Sequence, residues 1–269
     1  MSVVAKALDL LQHFSVARPE IGLSQFRRLA SHDKATTYRY LQALEQAGFV
    51  EKNPLTKAYR IGPAVLHLAQ VRELTVPRKT GAKAAIDALA AATGETAHLS
   101  VLSGATLHAL LASESAQHST RAIIDIQTLP LHATASGICA LAFGPPDLIE
   151  AAASDLNAYT DRTVTTEAAL RTAISQARQS GFGLSDRGYE KDIVGLSAPV
   201  FDETGLLAGT VAVASVASRL TPESEHLIKM NLAIASRDIT RNWGGTITPE
   251  LERCWADLAQ NAPKREIAT

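Results

Sequence analysis

The sequence predicts an α+β fold in two parts, a small helical head carrying a hairpin and a larger body that mixes strands with helices. Three observations carry the prediction. Three closely spaced segments before Gly48 place apolar residues at helical intervals. After Gly94, β-prone runs are interspersed with amphipathic helical stretches. Charge is also segregated: residues 1–72 hold ten Lys/Arg against five Asp/Glu, and the remainder holds 16 against 22, in a chain whose net charge is −1.

The head opens with Val4, Ala7, Leu8, Leu11 and Phe14 spaced as the apolar face of a helix, which Arg18, Pro19 and Gly22 end. A second, short helix is expected with Ser24 as its N-cap and Phe26, Leu29 and Ala30 facing inward. Ser31 and His32 make the connection to a third helix, for which Asp33 is a suitable N-cap and Gly48 a stop. In that helix Thr37, Leu41 and Leu44 should face the core. Two β-prone runs, Phe49–Lys52 and Ala58–Ile61, then flank an Asn-Pro turn, which predicts a hairpin. Three helices and a wing make a winged helix-turn-helix.

Residues 64–93 are expected to be helical with a break near Pro77, the first piece serving as a linker. Beyond Gly94, strands are expected at Thr96–Leu102, Leu107–Ala112, Ala122–Gln127, Phe182–Asp186, Val194–Phe201 and Leu206–Ser215. Helices are expected at 136–143, 146–154, 166–180 and 222–243, the last with Thr221 as cap and Pro222 in its first turn. Pro249–Leu258 suggests a short terminal helix with Leu251, Trp255 and Leu258 on one face.

Bulk properties narrow the function. The longest apolar runs fall well short of the ~18–20 residues that span a bilayer, and the N-terminus lacks a signal-peptide pattern, so a cytoplasmic protein without membrane partners is expected. Cys139 and Cys254 have no C-x-x-C spacing, which gives no sign of a disulfide framework or structural zinc. A basic head on an acidic body suggests that only the head meets phosphate.

If Thr37, Leu41 and Leu44 point inward, Ala35, Tyr38, Arg39 and Gln42 form one stripe on the opposite face of the third helix. Arg can grip guanine and Gln adenine through paired hydrogen bonds. Lys34 and Thr36, in the first turn, are placed for phosphates or nearby base edges. Arg27, Arg28, Lys52, Lys57 and Arg60 would add backbone contacts from the second helix and the wing. A single such helix is more often a solvated face; the hairpin and the basic bias favour double-stranded DNA.

Nearly the whole chain resembles the IclR family of transcription regulators. The resemblance is carried by LSQFRRLASHDKATTYRYLQALEQAGFVEKN, YRIGPAVLHLA, TGETAHLSV, LPLHATASGICALA, GFGLSD and LSAPVFDETGLLAGTVAVASVASRLT. It implies a winged helix-turn-helix over residues 1–62, a dimerising linker helix over 63–76 and a GAF-like effector-binding domain over 77–246, with 247–269 as an extension. It also implies homodimers or homotetramers that bind operator DNA, control catabolic genes and need no cofactor. Ser31 stands where the family usually has Gly, and His32 where it usually has an apolar residue.

Carried over to this chain, the family's effector site falls on Ala135, Ser136, Asp186, Gly195, Ala212 and Ala214. Gly195 stands where many members have Cys, and Ala212 and Ala214 where a subset has Ser. The residues themselves are compatible with a pocket. Thr210, Ala212 and Ala214 share one face of a strand, and so small a face leaves space unless a helix packs closely on it. A helix beginning near Ser136 would offer free N–H groups to a carboxylate. The loss of polar side chains predicts a roomy, apolar pocket for a small organic acid with an apolar or aromatic body, rather than a very small hydroxy- or keto-acid.

Rival readings are weaker. GFGLSDRG lacks the G-x-G-x-x-G spacing, no G-x-S-x-G elbow occurs, and nothing requires His132, Ser136 and Asp186 to meet as a triad. His98, His108, His132, Cys139 and His226 show no metal-ligand spacing, so satisfied or exposed histidines are expected. A winged helix that binds protein instead of DNA is the remaining alternative.

Overall fold

The computed structural model describes residues 2–30, 33–114, 117, 118, 120, 122 and 128–260. The chain divides into two compact units, 1–77 and 78–269. The turn at Ser31–His32 and most of the expected strand Ala122–Gln127 lie outside the described residues.

In the first unit, α1 (Val3–Asp9) tightens into a 3-10 turn over Leu10–His13, followed by β1 (Glu20–Ile21) and α2 (Leu23–Leu29). Then come α3 (Lys34–Gln46), β2 (Val50–Lys52), β3 (Tyr59–Ile61) and α4 (Pro63–Thr75). The core collects Leu10, Phe14, Ile21, Phe26, Leu41, Leu44 and Tyr59. Phe26 meets Phe14 and Tyr59 edge-on, with centroids 5.5 and 6.4 Å apart.

Three local expectations are corrected here. Val4 and Leu8 are exposed, while Leu10 is fully buried; the 3-10 turn has about three residues per turn, so it breaks the register that a continuous α-helix would keep. Gly22, extended at φ −76°, is the N-cap of α2, and Ser24 lies inside the helix without capping it. The hairpin gains a third strand: β1 pairs with β3, giving the antiparallel order β1-β3-β2. Two residues are too few for a period-2 pattern to reveal a strand.

The second unit begins with α5 (Arg78–Thr93), β4 (Thr96–Ser103), β5 (Thr106–Ser113) and β6 (Thr128–Leu129). It continues with α6 (Ala135–Phe143), α7 (Asp147–Ala153), α8 (Glu167–Ser180) and β7 (Gly183–Asp186). β8 (Ile193–Phe201), β9 (Leu207–Val216), α9 (Pro222–Asn242) and α10 (Pro249–Gln260) complete it. The strands form one antiparallel sheet in the order β6-β5-β4-β9-β8-β7. This is the GAF-like α+β architecture.

Helices cover both faces of the sheet. α5 packs on β4 and β5, and α9 on β8 and β9; α6 packs on β7, β8 and β9. The strands serve both faces by alternation. Leu99, Leu196, Val211 and Val213 join the apolar core with Ile86, Leu232 and Ile239, whereas Gly195 turns toward α6. Gly183 sets that second contact: a Cβ there would lie 2.3 Å from the Ala135 carbonyl oxygen, so only glycine lets α6 sit so close. At the end of the described chain, α10 buries Leu251 and Trp255 in the same core, with Trp255 against Phe182 at 5.9 Å.

Candidate functional site

Two surfaces carry the candidate chemistry, one in each unit. In the first, the Asp33 carboxylate accepts from the Thr36 N–H at 2.9 Å and starts α3. That hydrogen bond also holds the Asp33 carboxyl below its usual range. Thr37, Tyr40, Leu41 and Leu44 are buried. Their burial turns Ala35, Tyr38, Arg39 and Gln42 outward together, with Lys34 exposed and Thr36 half-buried in the first turn. The Gln42 side-chain amide donates to the Tyr38 hydroxyl at 3.1 Å. Arg27, Arg28 and Arg39 are exposed and make no ion pair among the described residues.

The wing tip is built by Asn53, whose side-chain oxygen accepts from the N–H groups of Leu55 and Thr56 at 2.9 and 3.3 Å. Lys57 follows in the left-handed region at φ +59°, exposed at the tip. Two of the wing cations already have partners. Arg60 donates to Glu51 at 2.6 Å, and the Lys52 ammonium lies 5.4 Å from the Tyr59 ring centroid. Arg60 would therefore have to give up an ion pair to reach phosphate.

In the second unit, a cavity of about 60 Å³ opens at the N-terminal end of α6, lined by Ala135, Ser136, Gly195 and Ala214 among the residues expected there. His98, Leu129, Thr134, Ser185, Tyr189, Glu190 and Ile193 complete its wall. Thr134 caps α6 by accepting from the Gly137 N–H at 3.0 Å. The Ala135 and Ser136 N–H groups have no acceptor among the described residues. A helix start with free donors favours an anion.

Two expected residues lie apart from this cavity. Ala212 is buried between its register partners His98 and Ser197 and does not line it. Asp186 is half exposed and is gripped by Arg162 and Arg187, each 2.7 Å away. Hydrogen bonding to Arg187 holds its carboxyl below the usual range. The cavity is also tighter than the small residues suggest. A Cβ on Gly195 would stand 3.0 Å from the Ala135 Cβ, so the missing side chain admits α6 and leaves little empty volume.

Of the segment 187–192, Tyr189 and Glu190 line the cavity. This segment is pinned from outside. Thr160 donates to the Arg187 carbonyl at 2.7 Å, Thr163 donates to the Gly188 carbonyl at 2.6 Å, and Tyr159 packs on Tyr189 at 4.9 Å. Arg187 itself is left-handed at φ +58°.

His98 is the lining residue that sequence reasoning left among the satisfied or exposed histidines. It is buried, its Nε2 lies 3.3 Å from the Ser136 hydroxyl oxygen, and its Nδ1 has no partner. Burial pushes its pKa down to about 4, so the ring is neutral at physiological pH. The signal available in the sequence was the alternation Thr96, His98, Ser100 against Ala97, Leu99, Val101 within a single strand.

The imagined triad is not assembled. His132 Nε2 bonds the Asn157 carbonyl at 2.9 Å, Ser136 faces His98, and Asp186 holds the two arginines. Cys139 is buried, which pushes its thiol up to about 12, against an opposing hydrogen bond from Ser197. It is a packing residue rather than a nucleophile. Among the described residues no three His, Cys, Asp or Glu side chains converge as a metal site, and no helix is long and apolar enough to cross a membrane.

Comparison with known proteins covers both units. Residues 3–54 match the IclR helix-turn-helix domain, and residues 74–241, more than half of the chain, match the bacterial transcriptional regulator IclR C-terminal domain. The glycerol operon regulatory protein of Streptomyces coelicolor is 28% identical over 241 residues, covering 88% of this chain and 92% of its own. The transcriptional regulator KdgR of Escherichia coli is 25% identical over 247 residues, covering 91% and 93%. A crystal structure of an IclR-type regulator from Silicibacter sp. is 38% identical and superposes with a TM-score of 0.87, covering 93% of this chain and 99% of that one. An IclR homologue of Microbacterium hydrocarbonoxydans, complexed with 4-hydroxybenzoate, shares the fold at 22% identity and a TM-score of 0.73, covering 90% and 99%. The first three of these relatives are named as regulatory proteins or transcriptional regulators. The chain belongs to the IclR family of bacterial transcriptional regulators.

Proposed function

We propose that this regulator binds operator DNA through the exposed face of α3 and is controlled by a small organic acid held at the start of α6. Residues 1–62 would read DNA, 63–76 would link, and 77–246 would sense, with α10 as an addition to the sensor. The observation that carries the sensing role is the cavity where the free N–H groups of Ala135 and Ser136 meet an otherwise largely apolar wall of Leu129, Ile193 and Ala214. A carboxylate suits the amides and a short hydrocarbon body suits the wall. Size favours a short acid. An engineered cavity of about 150 Å³ accepts benzene, whereas this one offers about 60 Å³. An aromatic acid, such as the ligand of the Microbacterium homologue, would require the 187–192 segment to move.

The working unit in this proposal is a dimer, with a tetramer as its larger form. α4 exposes Leu66, Leu68, Val71 and Leu74, the last at 85%, and a helix that leaves so many apolar side chains uncovered favours association with a second copy. The acid would bind one arrangement of the dimer better than another and so alter the fit of two α3 helices to two half-sites. The test combines two measurements on the full chain. Binding to the DNA upstream of its own gene should fall steeply with salt, and a thermal-shift screen should select short acids. Salt-independent binding would overturn the first part; stabilisation by aromatic acids alone would overturn the size argument.

A further inference from the structure

The exposed stripe of α3 is not a row of independent side chains. Tyr38 and Gln42 stand one turn apart on the same face of the helix, and the Gln42 side-chain amide donates to the Tyr38 hydroxyl at 3.1 Å. The two differ in how they are held. Gln42 is exposed, whereas Tyr38 keeps only 40% of its surface exposed. Burial raises the pKa of the Tyr59 phenol in β3, and Glu45 and Tyr38 of α3 add to the rise, so the Tyr38 phenol stands near the wing strand. The better-held ring therefore steadies the freer amide.

A primary amide has two N–H donors and one carbonyl acceptor. With one donor given to Tyr38, Gln42 keeps the other donor and its Oε1. These are the groups that grip adenine, the donor on N7 and the oxygen on the N6 amino group. Guanine presents only acceptors on that edge, N7 and O6, and would leave Oε1 unmet. We infer that Tyr38 is a positioning residue for DNA reading, whose hydroxyl fixes the Gln42 amide in the orientation that selects adenine. The inference rests on the DNA-binding reading above. Holding the amide before DNA arrives lowers the ordering cost of binding, because a free glutamine side chain loses much rotamer freedom when it is fixed. Removing the Tyr38 hydroxyl should cost roughly twofold to tenfold in selectivity for that base.

The test uses the full-length protein and the DNA upstream of its own gene, with each base pair of the bound site replaced in turn. Gln42→Ala should lose discrimination at one A·T pair of each half-site. At that pair 7-deazaadenine, which lacks the N7 acceptor, should weaken binding of the wild type. Tyr38→Phe should lose part of the discrimination at the same pair, and the double variant should lose no more than Gln42→Ala alone. A merely structural role would lower affinity for all sequences alike and leave the ratio unmoved. In the free protein the ¹⁵N–H resonances of the Gln42 side-chain amide should shift in Tyr38→Phe. Equal discrimination by wild type and Tyr38→Phe, additive losses in the double variant, or unshifted Gln42 resonances overturn the role of Tyr38 and leave DNA binding standing. A preference for guanine or thymine at the pair Gln42 reads, or no pair affected by Gln42→Ala, overturns the inference in the same way. Absence of salt-dependent DNA binding by the wild type overturns the DNA-binding reading and this inference together.

Discussion

The side-chain amide of Asn53 donates to the Glu20 carboxylate at 2.8 Å, tying the tip of the wing to the strand that precedes α2. Thr56 adds a second link to the same carboxylate at 3.1 Å, and the Asn53 hydrogen bond is the main cause holding the Glu20 carboxyl below its usual range. Glu20→Ala should therefore loosen the wing while leaving α3 helical. Fluorescence anisotropy should register weaker operator binding with an unchanged far-UV spectrum. Unaltered affinity would show that the wing tip needs no tether.

The cations of the first unit should separate by role. Arg39→Ala should cost about 1–3 kcal/mol of discrimination between operator and unrelated DNA, roughly tenfold to a hundredfold. Lys57→Ala should weaken binding to all sequences and reduce the slope of log K against log[salt] by about one. Arg60→Ala should do less than Lys57→Ala, because Arg60 is already paired with Glu51 at 2.6 Å. Equal effects of the two wing substitutions would mean that this ion pair opens on DNA.

His98 should make the second unit acid-sensitive in a defined window. Its pKa falls from 6.5 to about 4 through burial, so between those values the unfolded chain binds more protons than the folded one. Stability must then rise with pH in that interval. The contribution is fully present above about pH 6.5 and is lost as pH falls toward 4, about 3 kcal/mol in all. Urea unfolding followed at pH 7 and pH 5 should show the loss in the wild type and a smaller one in His98→Gln. An identical pH response in the two proteins would contradict the buried neutral ring.

Gly183→Ala should destabilise the same unit, by about 1–3 kcal/mol for an overpacked contact. The new methyl would meet the Ala135 carbonyl oxygen at 2.3 Å and the Cys139 nitrogen at 2.7 Å, both on the backbone of α6. Neither can swing aside as a flexible side chain would. A denaturant midpoint unchanged from wild type would mean that α6 shifts freely on the sheet, and the cavity at its end would then be plastic.

The sequence by itself determined what is local and periodic. The 3.6-residue spacing of Thr37, Leu41 and Leu44 fixes which face of α3 is buried and so which residues face outward. Asp33, Thr221 and Pro222 mark helix starts because the chemistry of capping is confined to a few neighbouring residues. The places of the long strands along the chain were equally legible, since short apolar runs such as Val194–Phe201, bounded by turn residues, suit a buried strand.

Only the tertiary structure decided what depends on distant residues. β1 exists because β3 pairs with it, and two residues carry no period of their own. Ala135, Gly195 and Ala214 meet because α6 lies across β8 and β9, while Asp186, near in sequence to the cavity wall, turns to Arg162 and Arg187 instead. Glycine at 195 suggested open space, and packing spent that space on a helix. His98 gained its place in the same way: a strand pattern can mark a residue as inward-facing, but whether its ring nitrogens find partners is settled by what the fold brings opposite them.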